Sequence, residues 1–78
     1  MQITYHAAQR FLQRVMKKVD FQKSDVYFAK EFLKKLLYDV VPTGKVRYFV
    51  LPGFENFRVV YKDGSVITIL PKGEHYDK

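Results

Sequence analysis

Ile3-Thr4-Tyr5-His6-Ala7-Ala8-Gln9-Arg10-Phe11-Leu12-Gln13-Arg14-Val15-Met16-Lys17-Lys18-Val19 changes its period once, and that change decides the fold. Gln2 to Tyr5 alternates, with Ile3 and Tyr5 apolar against Gln2 and Thr4, and reads as a short extended segment. From Tyr5 the apolar positions Ala7, Ala8, Phe11, Leu12, Val15, Met16 and Val19 recur at i, i+3, i+4. This spacing predicts a helix to Lys18 or Val19, with Thr4 as N-cap and Tyr5 as the competing boundary. The apolar stripe must pack on a core. The opposite side then carries His6, Arg10, Arg14 and Lys17, and residues 1–19 contain no carboxylate. Such a row either is a solvated helix face or grips phosphate. Lys17 and Lys18 also have a structural reason to sit there, because cations in the last turn complement the helix dipole.

Asp20 to Lys23 reads as a connection. Ser24 or Asp25 caps a second helix from about Val26 to Val40. Its stripe is Ala29, Phe32, Leu33, Leu36, Leu37 and Val40, and Lys30, Glu31, Lys34 and Lys35 face water. Pro42-Thr43-Gly44 ends that helix and starts a turn. Lys45 to Leu51 is rich in β-branched and aromatic residues and predicts a strand. Pro52-Gly53 predicts a turn, Phe54 or Asn56 to Tyr61 a second strand, and Ser65 to Leu70 a third, joined through Asp63-Gly64. The order β-α-α-β-β-β predicts an α+β domain over residues 1–71, two helices on a small antiparallel sheet, with a tail at 72–78.

The hairpin at Asp63-Gly64 admits two registers. A two-residue turn pairs Lys62 with Ser65 and puts Arg58 on the face of Ile67 and Ile69. A type I turn with a bulge at Gly64 pairs Tyr61 with Ser65 instead. Phe57, Val59, Tyr61, Ile67 and Ile69 then share one face, and Arg58, Val66, Thr68 and Leu70 the other. The second register is favoured, because it separates charge from bulk and one face of a two-layer domain must be buried.

Composition bounds the function. The 78 residues suffice for one core, and six Tyr with seven Phe supply the large apolar area a small core needs. The absence of Cys excludes disulfides and thiolate zinc sites and suits a reducing compartment. The N-terminus lacks the pattern of a signal peptide, and no apolar run approaches the ~18 residues of a membrane span, so a cytoplasmic protein is expected. Net charge is +6, with a pI near 9.7, which favours polyanionic partners: nucleic acid, an acidic protein or an anionic membrane surface, the first two foremost. Two His residues with no Cys make a poor metal set, and no phosphate-binding Gly loop or nucleophile elbow occurs, so no metal or cofactor is expected.

The element order, the opening His6-Ala7-Ala8-Gln9-Arg10-Phe11-Leu12-Gln13-Arg14 and the ending Val59-Val60-Tyr61-Lys62-Asp63-Gly64-Ser65-Val66-Ile67-Thr68 resemble the RelE-like superfamily, the RelE/ParE/BrnT group of small toxin and nuclease folds. The closest likeness is to small uncharacterised domains that open with a His-Ala-x-x-Arg helix, and it spans residues 2–71. The resemblance implies a metal-independent ribonuclease toxin or a relative of one. Its partners would be RNA or the ribosome and an acidic antitoxin protein, with no membrane. It implies that Arg58 holds a phosphate and that His6 takes part in acid–base chemistry. Some members carry a His or Tyr after the last strand, where this chain has His75 and Tyr76. The lysine pair that some members carry on the middle strand is replaced only roughly, by Lys45 and Arg47.

RNA cleavage without a metal needs a base for the 2′-OH, cations for the phosphorane and an acid for the leaving oxygen. His6, Arg58, Tyr61 and His75 are the candidate catalytic residues. Arg10, Arg14, Lys17, Arg47 and Thr68 are the candidate nucleic-acid contacts. Each has a plainer reading: a cap for His6, a solvated face for Arg10 and Arg14, a paired strand charge for Arg58, a strand residue for Thr68 and a frayed tail for His75. The alternative function is a non-catalytic nucleic-acid-binding or protein-interaction module of the same fold.

Overall fold

A computed structural model describes residues 2–40 and 46–74. The elements are β1 (Gln2–Ile3), α1 (Tyr5–Arg10), a π-helical turn (Phe11–Val15), α2 (Lys23–Leu36), β2 (Val46–Leu51), β3 (Phe54–Lys62) and β4 (Ser65–Pro71). The domain is α+β in the expected order. The four strands run β1-β4-β3-β2 across one sheet. The three long strands are antiparallel, and β1 adds to β4 in parallel, Gln2 beside Ser65 and Ile3 beside Val66.

Thr4 is the N-cap of α1. Its hydroxyl accepts from the Ala7 amide at 3.0 Å and donates to the Val66 carbonyl at 3.0 Å, so one side chain starts the helix and ties it to β4. The first helix is shorter than its periodicity predicts. After Arg10 it widens to a π-turn, in which Met16 N–H bonds the Phe11 carbonyl. Lys17 then takes φ 59°, and Lys18 N–H closes back on the Leu12 carbonyl. Lys17 and Lys18 therefore lie just past the helix rather than in its last turn, in a left-handed C-terminal closure widened by the π-turn.

The second helix starts three residues earlier than predicted. Gln22 is its N-cap, and the Asp25 carboxylate accepts from the Gln22 amide at 2.9 Å. Asp25 thus caps from the third helical position instead of the boundary. The helix ends at Leu36 rather than Val40, because Tyr38 and Val40 bond back by three residues, to Lys35 and Leu37. The turn assigned to Pro42-Thr43-Gly44, and Lys45 at the start of the predicted strand, lie outside the described residues.

The Asp63-Gly64 register combines both expectations. Lys62 pairs with Ser65, and Asp63 at φ 50° with Gly64 at φ 88° make the two-residue turn that suits the sheet's twist. The predicted bulge at Gly64 is absent from the turn. It lies instead in the ladder: Tyr61 pairs with Val66, but Val60 pairs with Thr68. Ile67 is the extra residue. Beyond it Arg58, Val60, Thr68 and Leu70 share the outer face, as the favoured register has them. Before it Val66 turns inward into the core, contrary to that register.

The core lies between the helices and the inner face of the sheet. Ala7, Ala8, Phe11, Leu12, Ala29 and Leu33 meet Leu51, Val59, Val66 and Ile69 there. Of the strand aromatics, Phe49, Phe54, Phe57 and Tyr61 pack against this core. Phe11, Phe32 and Phe54 form a ring cluster with centroids 5.6–6.5 Å apart.

Candidate nucleic-acid interface

Along α1 and the π-turn, His6, Arg10 and Arg14 form one connected row. Arg10 Nε–H donates to His6 Nε2 at 3.3 Å, and Arg10 Nη1 donates to the Gln13 side-chain oxygen at 2.6 Å. Arg14 Nη1 donates to the Ile69 carbonyl at 3.0 Å. An α-helix advances about 100° per residue, so residues four apart drift about 40° around it. The π-turn underwinds the chain between Arg10 and Arg14 and opposes that drift. The helix is tied to β4 at both ends, by Thr4 at the Val66 carbonyl and by Arg14 at the Ile69 carbonyl. β1 covers only the Ser65–Val66 end of that strand's edge; Arg14 takes a carbonyl beyond it, and Pro71 has no amide to offer there.

His6 is exposed, and its pKa lies below the ordinary 6.5. Desolvation on the helix is the first cause, and the charges of Arg10 and then Arg14 add to it. The Arg10 bond acts in the same direction. A donor at Nε needs a lone pair on Nε2, which selects neutral imidazole with its proton on Nδ1. The row therefore holds two fixed cations and one neutral, basic nitrogen. A guanidinium has five N–H donors, so the observed bonds leave Arg10 and Arg14 capacity to grip an oxyanion.

Arg58 is held elsewhere. The register break between Val50 and Leu51 leaves residues 55–57 without partners on β2. Arg58 Nη1 donates to two carbonyls of that stretch, Glu55 at 2.8 Å and Phe57 at 3.1 Å. Its charge is thus solvated by its own strand, which is the partner a mid-strand cation requires. The outer face around it is no open platform: Val60 is 0% exposed and Thr68 5%. The chain leaving β4 bends back at Gly73, φ 93°, and the Glu74 carbonyl accepts from the Tyr48 hydroxyl at 3.0 Å across this face. Tyr61 is half-buried against the core on the opposite, helix-facing side. Arg47 stands beside Tyr61 in the β2–β3 register, and Lys17 is exposed beyond the π-turn. His75 and Tyr76 lie outside the described residues.

The structure therefore brings His6, Arg10 and Arg14 together, leaves Arg58 and Thr68 on the outer face of the sheet, and puts Tyr61 on the opposite, helix-facing side. Sequence reading missed Gln13 and Tyr48. Gln13 had a signal, standing three residues after Arg10, where helical side chains meet. Tyr48 had none, since its partner is 26 residues away. Among the described residues no three metal-ligating side chains gather, and no helix is long and apolar enough to cross a membrane. Comparison with protein-family models, with curated proteins and with solved structures finds no match to this chain.

Proposed function

We propose that the protein acts on RNA, gripping the phosphate backbone along the His6–Arg10–Arg14 row, as a RelE-like protein of the cytoplasm. The observation that carries this reading is the row itself: two guanidiniums and an imidazole side by side, Arg14 anchored on β4, in a segment without a carboxylate. The β-α-α-β-β-β order supports the family reading, and the net charge of +6 supports a polyanionic partner. An acidic antitoxin protein would compete for the same cations.

The test is binding of labelled single-stranded RNA by anisotropy over a salt series. Each neutralised phosphate contributes about 0.7 to the slope of log affinity against log salt. Arg10→Ala/Arg14→Ala should weaken binding at least about tenfold and lower the slope by about 1.4, while Arg58→Ala changes little. An unchanged slope in the double variant removes the row as the interface.

A second reading, RNA cleavage, is favoured by one observation: a neutral His6 next to two cations is the base-and-clamp pair that 2′-OH attack requires. RNA integrity and growth after induced expression test it. Fragmented RNA with growth arrest, relieved by His6→Ala, supports a toxin. Intact RNA leaves a binding protein.

A further inference from the structure

A groove of about 300 Å³ opens between the π-turn and α2, and none of His6, Arg10 and Arg14 lines it. Phe11, Leu12, Met16, Phe28, Ala29 and Phe32 line it, and its two charged liners are Lys18 and Asp25. Its rim is unusually exposed for large apolar groups: Phe28 is 69% exposed, Tyr27 61%, Met16 54% and Phe32 45%. Tyr27 leans on Phe28 with ring centroids 6.1 Å apart, so the four form one patch. Together they expose roughly 450 Å², most of it apolar, taking full areas near 200 Å² each.

We propose that this groove is the interface of a two-fold homodimer. The area fits: a standard interface buries about 800 Å² per partner, a little over half of it apolar, which is the size of this patch. The charges fit as well. One cation and one carboxylate line the groove, so a two-fold axis can set Lys18 of each copy against Asp25 of the other. Phe28 is the most exposed of the four and is the knob that enters the second copy's groove beside Phe32. The charge of +6 on each copy opposes association at long range, but His6, Arg10 and Arg14 do not line the groove. At physiological salt charges more than about 8 Å apart are largely screened. The interface is therefore distinct from the RNA-binding row, and either can fail without the other.

Sedimentation equilibrium of the full chain, from about 1 to 500 µM at physiological salt, tests this. The mass should rise from 9.3 kDa toward two chains with concentration. Phe28→Glu, at a position that is mostly solvent-exposed, should keep its circular dichroism and stay at one chain to at least tenfold higher concentration. Lys18→Glu should weaken the dimer several-fold by setting carboxylate against carboxylate. A wild type that remains at 9.3 kDa throughout, a mass beyond two chains, or a Phe28→Glu variant that associates like wild type each overturns the proposal.

Discussion

His6 is the residue whose chemistry depends most on its neighbours. Its depressed pKa means that the folded chain binds its proton less readily than the unfolded chain does. Below about pH 6.5 the unfolded state takes up the proton first, so stability falls as pH drops, until the folded value is passed. Above pH 6.5 His6 contributes nothing to the pH dependence. An NMR titration, assigned with His6→Gln, should give a pKa under 6.5, and Arg10→Ala should move it back toward that value without restoring it fully. A His6 pKa above 6.5 would show that the Arg10 bond does not hold the neutral form. Arg58 gives the contrasting case. From the sequence, a cation between Phe57 and Val59 calls for a partner or a ligand; in the fold, two carbonyls freed by a break in the ladder supply the partner.

Elements end where a backbone angle permits it, and two positive-φ positions set the limits of the site. Lys17 at φ 59° closes the π-turn, and a β-carbon there carries a cost that glycine lacks. Lys17→Gly should therefore stabilise the protein by up to about 1 kcal/mol in urea unfolding. Gly64 at φ 88° has open space where a β-carbon would stand, with nothing within 4 Å, so its requirement is one of conformation, not of room. Gly64→Ala should cost about 1–2 kcal/mol by the same measurement. This turn also decides what the row meets. With the turn at two residues, the bulge falls at Ile67, Val66 enters the core, and the Ile69 carbonyl reaches the edge where Arg14 takes it.

At the scale of the molecule, one buried cluster joins the helices to the sheet among the described residues. Leu33 is fully buried between α2 and the sheet, so Leu33→Ala removes packing that nothing else replaces. A loss of about 2–5 kcal/mol is expected, much of the stability of a domain this small, and thermal unfolding by circular dichroism measures it. A smaller loss would mean that α2 repacks over the cavity. The same helix turns Tyr27 and Phe28 outward, and a core of this size has no room to recover them.

Periodicity and turn chemistry are local properties, and they were legible in the chain by itself. The β-α-α-β-β-β order, the Thr4 cap, the Pro52-Gly53 and Asp63-Gly64 turns and the alignment of His6, Arg10 and Arg14 on one helix face all follow from spacings of a few residues. Tertiary structure alone decided the rest. The parallel seat of β1 on β4, the bulge at Ile67, the carbonyl partners of Arg14 and Arg58, and the closing of the outer face by the chain after Pro71 join residues distant in sequence or depend on ladder register. A register shift of one residue reverses every side chain beyond it, so no local pattern could say that Thr68 would be buried or that Arg58 would be satisfied by its own strand.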